Sequence, residues 1–376
     1  ALPVAARGGG TGTTGQSLNS GVIVDTSRYM KRILSFDAET RQVVVEPGVV
    51  LDQLNRFLAP HGLFFPPAVS TSSRATIGGM FATDASGKGS RRYGRMSDWV
   101  AKADLLMADG HACDTDNLPG AADMSADLEA HATAIARAFP QINRGLTGYN
   151  LREAMGAKGL NGVKLLAGSE GTLALTTKLT LRVTPMPSYK ALTVLAYTDC
   201  LAALDHVPQL LAADPVAIEF LDDKIIDLAA RTPMWSELQT IFGGFGGARG
   251  FLFIEFSGDC PEDINAGHAL LNDILAAAPE SFIGRTDTDH PTQMAALWET
   301  RKRSVGLLGA MEGARVGIPY VEDAAVPPGN LTRFVQEFRN ILNDHGLDYG
   351  MFGHADVGCV HVRPALDMLS AGARTL

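Results

Sequence analysis

The stretch Arg7-Gly8-Gly9-Gly10-Thr11-Gly12-Thr13-Thr14-Gly15 packs five glycines into the eight positions 8–15 and contains a literal G-x-G-x-x-G from Gly10 to Gly15. The residues just after it limit what the chain can fold into. In a dinucleotide-binding βαβ unit the fingerprint opens a helix, because the pyrophosphate sits on that helix's N-terminus. Here only Gln16-Ser17-Leu18-Asn19 precede the break at Ser20-Gly21, and Val22-Ile23-Val24-Asp25 then reads as a strand. Four residues cannot form a crossover helix, which takes roughly a dozen. Apolar segments on both sides, Leu2 to Ala6 and Val22 to Val24, argue against a linker. What remains is a strand–loop–strand cradle. Residues without Cβ let successive backbone N–H groups converge on an anion.

Length and charge narrow the class. At roughly 150 residues per domain, 376 residues suggest two or three domains. The net charge of −9, with no Lys/Arg-rich block, argues against a nucleic-acid partner. No apolar run approaches the ~20 residues of a membrane helix. Cys113, Cys200, Cys260 and Cys359 are scattered without a C-x-x-C, which fits reduced thiols in a cytoplasmic protein. No signal peptide is legible, and the opening Ala1-Leu2-Pro3 suggests a true N-terminus upstream.

Along the chain, residues 21–65 read as strand, strand, turn, strand and helix, with Leu51, Leu54, Phe57 and Leu58 at helical spacing. A second Gly/Ser/Thr-rich stretch runs from Pro66 to Gly94. Its length and its embedded Ile77, Met80 and Phe81 mark it as ordered and functional. Gly168-Ser169-Glu170-Gly171 introduces the clearest alternation in the chain, Leu173 to Val183, which Pro185-Met186-Pro187 ends. We place a domain over 1–185, a second over 186–364, and the start of a truncated C-terminal segment over 365–376. The second domain alternates strands (Leu192–Tyr197, Phe251–Phe256) with helices (Leu201–Ala213, Ile264–Ala277, Trp298–Leu308, Leu331–His345), an α+β pattern.

The three glycine clusters, RGGGTG, TIGGMFATDASG and GSEGTL, resemble the FAD-binding domain of the vanillyl-alcohol oxidase (PCMH-type) superfamily, specifically its FAD-linked D-2-hydroxy-acid dehydrogenase branch. The resemblance covers essentially the whole chain. It implies an α+β fold class: a PCMH-type FAD-binding domain of two α+β subdomains, plus an α+β substrate (cap) domain with an antiparallel sheet. It assigns Gly8, Gly9, Gly10, Thr11 and Gly12 to the FAD pyrophosphate, with Ser17 in the same loop. Pro66, Pro67, Thr76, Gly78, Gly79, Thr83 and Ser86 map to the isoalloxazine and ribityl chain, and Gly168, Glu170 and Gly171 to the same cofactor wall. Covalently flavinylated relatives carry a histidine near where Thr11 falls. This loop has none, so noncovalent FAD is expected.

GHADVGCVH, Gly353 to His361, sets two histidines six residues apart among small residues. The branch's usual form is G-H-x-G-D-G-N-x-H, whose histidines bind a metal that grips the substrate. His354 and His361 match, while Asp356, Val357 and Cys359 replace the middle Gly, Asp and Asn. The resemblance implies a divalent metal such as zinc on His354 and His361, with a third ligand, a glutamate, beyond Leu376. Arg301 falls where the family grips the substrate carboxylate, and His361, if unligated, is a candidate base. Glu322 and Asp323 match an acidic pair common in the family, although a turn-forming role explains them as well. The closest likeness is to large bacterial D-2-hydroxyglutarate dehydrogenase-like proteins with a C-terminal iron–sulfur region, which this chain does not contain. The expected partner is therefore a small-molecule 2-hydroxy acid, with the electron acceptor and oligomeric state unspecified. The competing reading is a non-catalytic FAD or dinucleotide-binding module.

Overall fold

The computed structural model describes residues 2–144, 148–157, 159–231, 235–307, 315–319 and 323–372. The chain divides into two units, Ala1–Met186 and Pro187–Leu376.

In the first unit, β1 (Val4–Arg7) and β2 (Val22–Asp25) pair in parallel, Val4 opposite Val22. The loop between them holds no helix, as the short Gln16–Asn19 segment requires. β3 (Ile33–Asp37), β4 (Gln42–Val45), β5 (Val100–Leu106), β6 (Ala112–Asp114) and β7 (Leu175–Arg182) form an antiparallel sheet in the order β3-β4-β7-β5-β6. β7 keeps the expected alternation, with Leu179 and Leu181 fully buried. Helix α1 (Leu51–Leu58) buries Leu51, Leu54 and Leu58, three and four residues apart, in a core shared with Val43, Val45 and Phe81. Helix α2 (Ile77–Ala82) starts at Thr76, whose side chain accepts from the Gly79 N–H.

The second unit is built on one antiparallel sheet. Its strands are β8 (Tyr189–Tyr197), β9 (Ala217–Asp222), β10 (Gly250–Gly258), β11 (Phe282–Thr288), β12 (Val316–Gly317), β13 (Ala324–Ala325), β14 (Tyr349–His354) and β15 (Cys359–Leu366). Their order is β11-β8-β10-β9-β14-β15-β12, with β13 also on β15. One face packs on α3 (Cys200–Leu210), α6 (Pro261–Leu275) and α8 (Leu331–Asp344) through Ile218, Phe220, Ile254, Met351 and Val362. The other packs on α4 (Asp223–Ala229), α5 (Trp235–Phe242) and α7 (Pro291–Leu307) through Leu221, Phe251, Phe253 and Phe352. The architecture is α+β with an antiparallel sheet, as expected. The central strand β9 was not anticipated. Its sequence, Ala-Ile-Glu-Phe-Leu-Asp, is buried on both faces and so lacks a clean apolar–polar alternation.

Candidate functional site

The three glycine clusters meet within the first unit. A Cβ built on Gly8 would lie 2.0 Å from Thr76 Oγ1, and one on Gly9 would lie 2.1 Å from the Arg74 carbonyl oxygen. The first loop therefore rests directly on the segment that starts α2. The third cluster docks on the other end of that helix: Gly168 N–H donates to Phe81 O at 3.1 Å and Glu170 N–H to Ala82 O at 2.8 Å. Gly10 and Gly12 are exposed, and among the described residues no hydrogen bond engages the N–H groups of Gly10, Thr11 and Gly12. The first turn of α2 is already satisfied, with Ile77 N–H on Val49 O and Gly78 N–H on Pro47 O. The loop, and not the helix terminus, carries the free donors, which is the nest arrangement.

Thr76, Pro66 and Pro67 are buried, while Ser17 and Ser86 are half-buried and Thr83 exposed. Gly78 packs against Pro47 and Gly79 receives the Thr76 cap, so both serve the protein's own packing. Glu170 and Gly171 turn the chain with positive φ. Beneath the clusters runs an ion network that sequence reasoning missed. Arg95 bridges Asp84 at 3.4 Å and Glu153 at 2.6 Å, and Lys164 reaches Glu153 at 3.1 Å. Burial raises the Glu153 carboxyl, but Arg152, Arg95 and Lys164 outweigh it and hold its pKa down at about 2.

In the second unit, strand register assembles the polar groups. Glu219 on β9 lies directly opposite His354 on β14, so their side chains share a face. Glu219 Oε1 is 2.6 Å from His354 Nδ1, and Glu219 Oε2 accepts from Arg301 Nε at 2.7 Å. Arg301 comes from α7, one turn beyond the buried Leu297. Its guanidinium lies 4.5 Å from the Phe352 ring centre, and the Phe352 ring is 5.0 Å from that of His361. The His354 and His361 rings meet edge to face at 5.3 Å.

Glu219 is 1% exposed, and a lone buried carboxylate would ordinarily take up a proton. Burial does push its pKa up, yet the charges and hydrogen bonds of His354 and Arg301 dominate and hold it at about 2. At the end of the same strand Asp222 behaves oppositely. Burial raises its carboxyl to about 7 despite the N–H groups of Ile225 and Met351 that it accepts at 3.0 and 2.7 Å.

The two expected metal histidines are thus neighbours, but they face different acids. His354 Nδ1 is occupied by Glu219, so only its Nε2 could reach a cation. His361 Nδ1 is 3.3 Å from Asp323 Oδ1. Among the described residues, the donors that converge are Asp323, Cys359 and His361. Arg301 is buried and joined to His354 through Glu219 and to His361 through the Phe352 ring; of its five donors one serves Glu219, and among the described residues the terminal nitrogens have no hydrogen-bond partner. Glu322 lies outside the described residues. Glu219 was missed, although a single acid inside an apolar run is the signal a buried partner would leave.

The first unit thus holds a strand–loop–strand cradle and the second a buried carboxylate–imidazole–guanidinium set, and the two units match the two domains of FAD-linked oxidoreductases. p-Cresol methylhydroxylase with substrate bound superposes over the whole chain and 72% of its own, at a TM-score of 0.68 and 14% identity. The chain belongs to the FAD-linked oxidases: residues 186–375, more than half its length, match the family "FAD linked oxidases, C-terminal domain", and residues 1–116 match "FAD binding domain". It is 40% identical over 96% of its length to D-2-hydroxyglutarate dehydrogenase of Pantoea ananatis and 27% identical over 96% to D-lactate dehydrogenase of Archaeoglobus fulgidus. It spans 38% of the first relative and 70% of the second.

Proposed function

We propose that this chain carries out the FAD-dependent oxidation of a D-2-hydroxy acid, of the D-lactate, glycolate or D-2-hydroxyglutarate type. The observation that carries the reading is Glu219, fully buried, holding His354 with one oxygen and Arg301 with the other. The relatives' names support the substrate class.

Bound noncovalently in the cradle of the first unit, FAD would supply the acceptor for the hydride leaving C2. The chain's own groups handle the rest of the substrate. Arg301, fixed through Nε, presents its terminal nitrogens as a fork for the C1 carboxylate. His354 takes the C2 hydroxyl proton at Nε2, since Glu219 on Nδ1 sets the tautomer and stabilises the imidazolium that forms. His354 suits this role better than His361, the base expected from sequence. Its acid partner is buried at 2.6 Å, whereas that of His361 is 64% exposed at 3.3 Å.

The test is anaerobic mixing of the FAD-loaded chain with D- and L-2-hydroxy acids. Bleaching of the yellow flavin by the D enantiomer alone is expected, as is release of flavin into the supernatant on acid precipitation. Flavin bound but left yellow by every D-2-hydroxy acid would refute the reaction and favour a binding module. Flavin retained in the pellet would refute noncovalent attachment.

A further inference from the structure

We infer that Phe352 is a positioning residue for the substrate carboxylate: its ring fixes the plane of the Arg301 guanidinium. The inference rests on the carboxylate grip proposed above. Helix and strand packing build the contact. On α7, Met294, Leu297 and Arg301 are all buried, at positions i, i+3 and i+7, which share one face of a helix. Arginine thus continues an apolar stripe. On the sheet, β14 pairs with β9 on one side and β15 on the other, setting Phe352 between Leu221 and His361. Phe352 is 1% exposed and lies in one buried cluster with Leu221 and Leu297.

Two contacts hold the buried guanidinium, and each does a different thing. At its edge, Nε donates to Glu219 Oε2 at 2.7 Å. A single hydrogen bond fixes that atom and leaves the plane free to turn about it. On its face, the guanidinium carbon stands over the Phe352 ring, 4.5 Å from the centre. A guanidinium is flat and more weakly hydrated than an ammonium, so it stacks on a ring at little desolvation cost. The negative face of the ring adds cation–π attraction, which is strongest out of water. The ring is itself braced, because the His361 ring lies 5.0 Å away with the two planes 40° apart.

The plane matters because of what Arg301 has to grip. A carboxylate is flat, and a fork of two N–H groups matches it only in a common plane. Glu219 sets where the fork starts, and Phe352 sets the direction in which it opens. Both contacts stand before any acid arrives, so the fork is ordered in advance. Leucine at this position would fill much of the same space and offer no ring face.

The experiment weakens the ring face and keeps the ring's shape. Mono-, di- and trifluorinated phenylalanine at position 352 draw electron density from the face in steps. Calorimetry on the FAD-loaded chain reads affinity for pyruvate and 2-oxoglutarate, 2-oxo acids that keep the carboxylate and have no hydride to give. A stepwise loss reaching roughly 5- to 10-fold is expected, the size of a desolvated cation–π contact. Phe352→Leu should bind at least as weakly as the trifluorinated chain. With a D-2-hydroxy acid, the concentration for half-maximal flavin reduction should rise by the same factor, and the limiting rate should change less. In an Arg301→Gln background the series should go flat, because the ring acts through the guanidinium. Equal affinities across the series, or a series that keeps its full size in Arg301→Gln, would overturn the inference. Undiminished affinity in Arg301→Gln itself would refute the carboxylate grip, and the role of Phe352 with it. Flavin left yellow by every D-2-hydroxy acid, with the fluorination series intact, would refute the reaction and leave that role standing.

Discussion

Replacing Glu219 by Gln keeps the shape of the side chain and removes its charge. The geometry gives this change two consequences. The first is stability. Glu219 is 1% exposed and Arg301 7%, and removing one member of a buried ion pair costs about 3–5 kcal/mol. The retained amide oxygen can still accept from Arg301 Nε, so the lower end, about 3 kcal/mol, applies. The second is chemistry. A glutamine amide turned so that its oxygen serves Arg301 offers an N–H to His354. Nδ1 must then accept, and the imidazole proton moves to Nε2, the atom that has to receive the substrate proton. An Asp-to-Asn change behind the histidine of a serine protease, which forces the wrong tautomer in the same way, costs about 10⁴ in kcat. Flavin reduction should therefore slow by ~10³–10⁴, with a smaller change in KM because Arg301 keeps its place. Stopped-flow flavin reduction and chemical denaturation measure the two effects. A folded variant that reduces flavin at the wild-type rate would show that His354 is not the proton acceptor.

Gly9→Ala should lower FAD affinity sharply, because its Cβ would strike the Arg74 carbonyl oxygen at 2.1 Å and lift the loop off α2, whereas Gly15→Ala meets open space and costs only the ~1–2 kcal/mol of a positive φ; flavin titration distinguishes them, and equal affinities would refute the packing argument. Asp222 predicts a pH effect: its carboxyl is raised from 3.8 to about 7 in the fold, so its stabilisation is fully present below pH 3.8 and is lost as pH rises towards 7, by up to ~4 kcal/mol. Asp222→Asn, whose single amide oxygen can accept from Ile225 or from Met351 but not from both, should remove that slope at some cost in stability, and parallel pH dependences of wild type and variant in thermal melts would refute it.

The cradle was legible because its constraint is local. Four residues between Gly15 and Ser20 cannot make a helix, whatever the rest of the chain does, and the fold shows β1, a helix-free loop and a parallel β2. One reason for its glycines was not local. Gly8 and Gly9 read as room for a phosphate, yet the nearest obstructions to a Cβ are Thr76 and Arg74 of the protein itself, nearly seventy positions along the chain.

The sequence by itself thus determined the α+β class, the three glycine clusters, the amphipathic helix Leu331–Asp344 and the pair His354 and His361, each written in short-range spacing. Tertiary structure alone decided which acid each histidine faces. Glu219 reaches His354 across 135 positions because β9 and β14 pair in one register, and a one-residue slip would turn the carboxylate to the opposite face. Asp323 likewise meets Cys359 and His361 only because β13 adds to β15, and strand order is set by long-range pairing that local sequence does not encode.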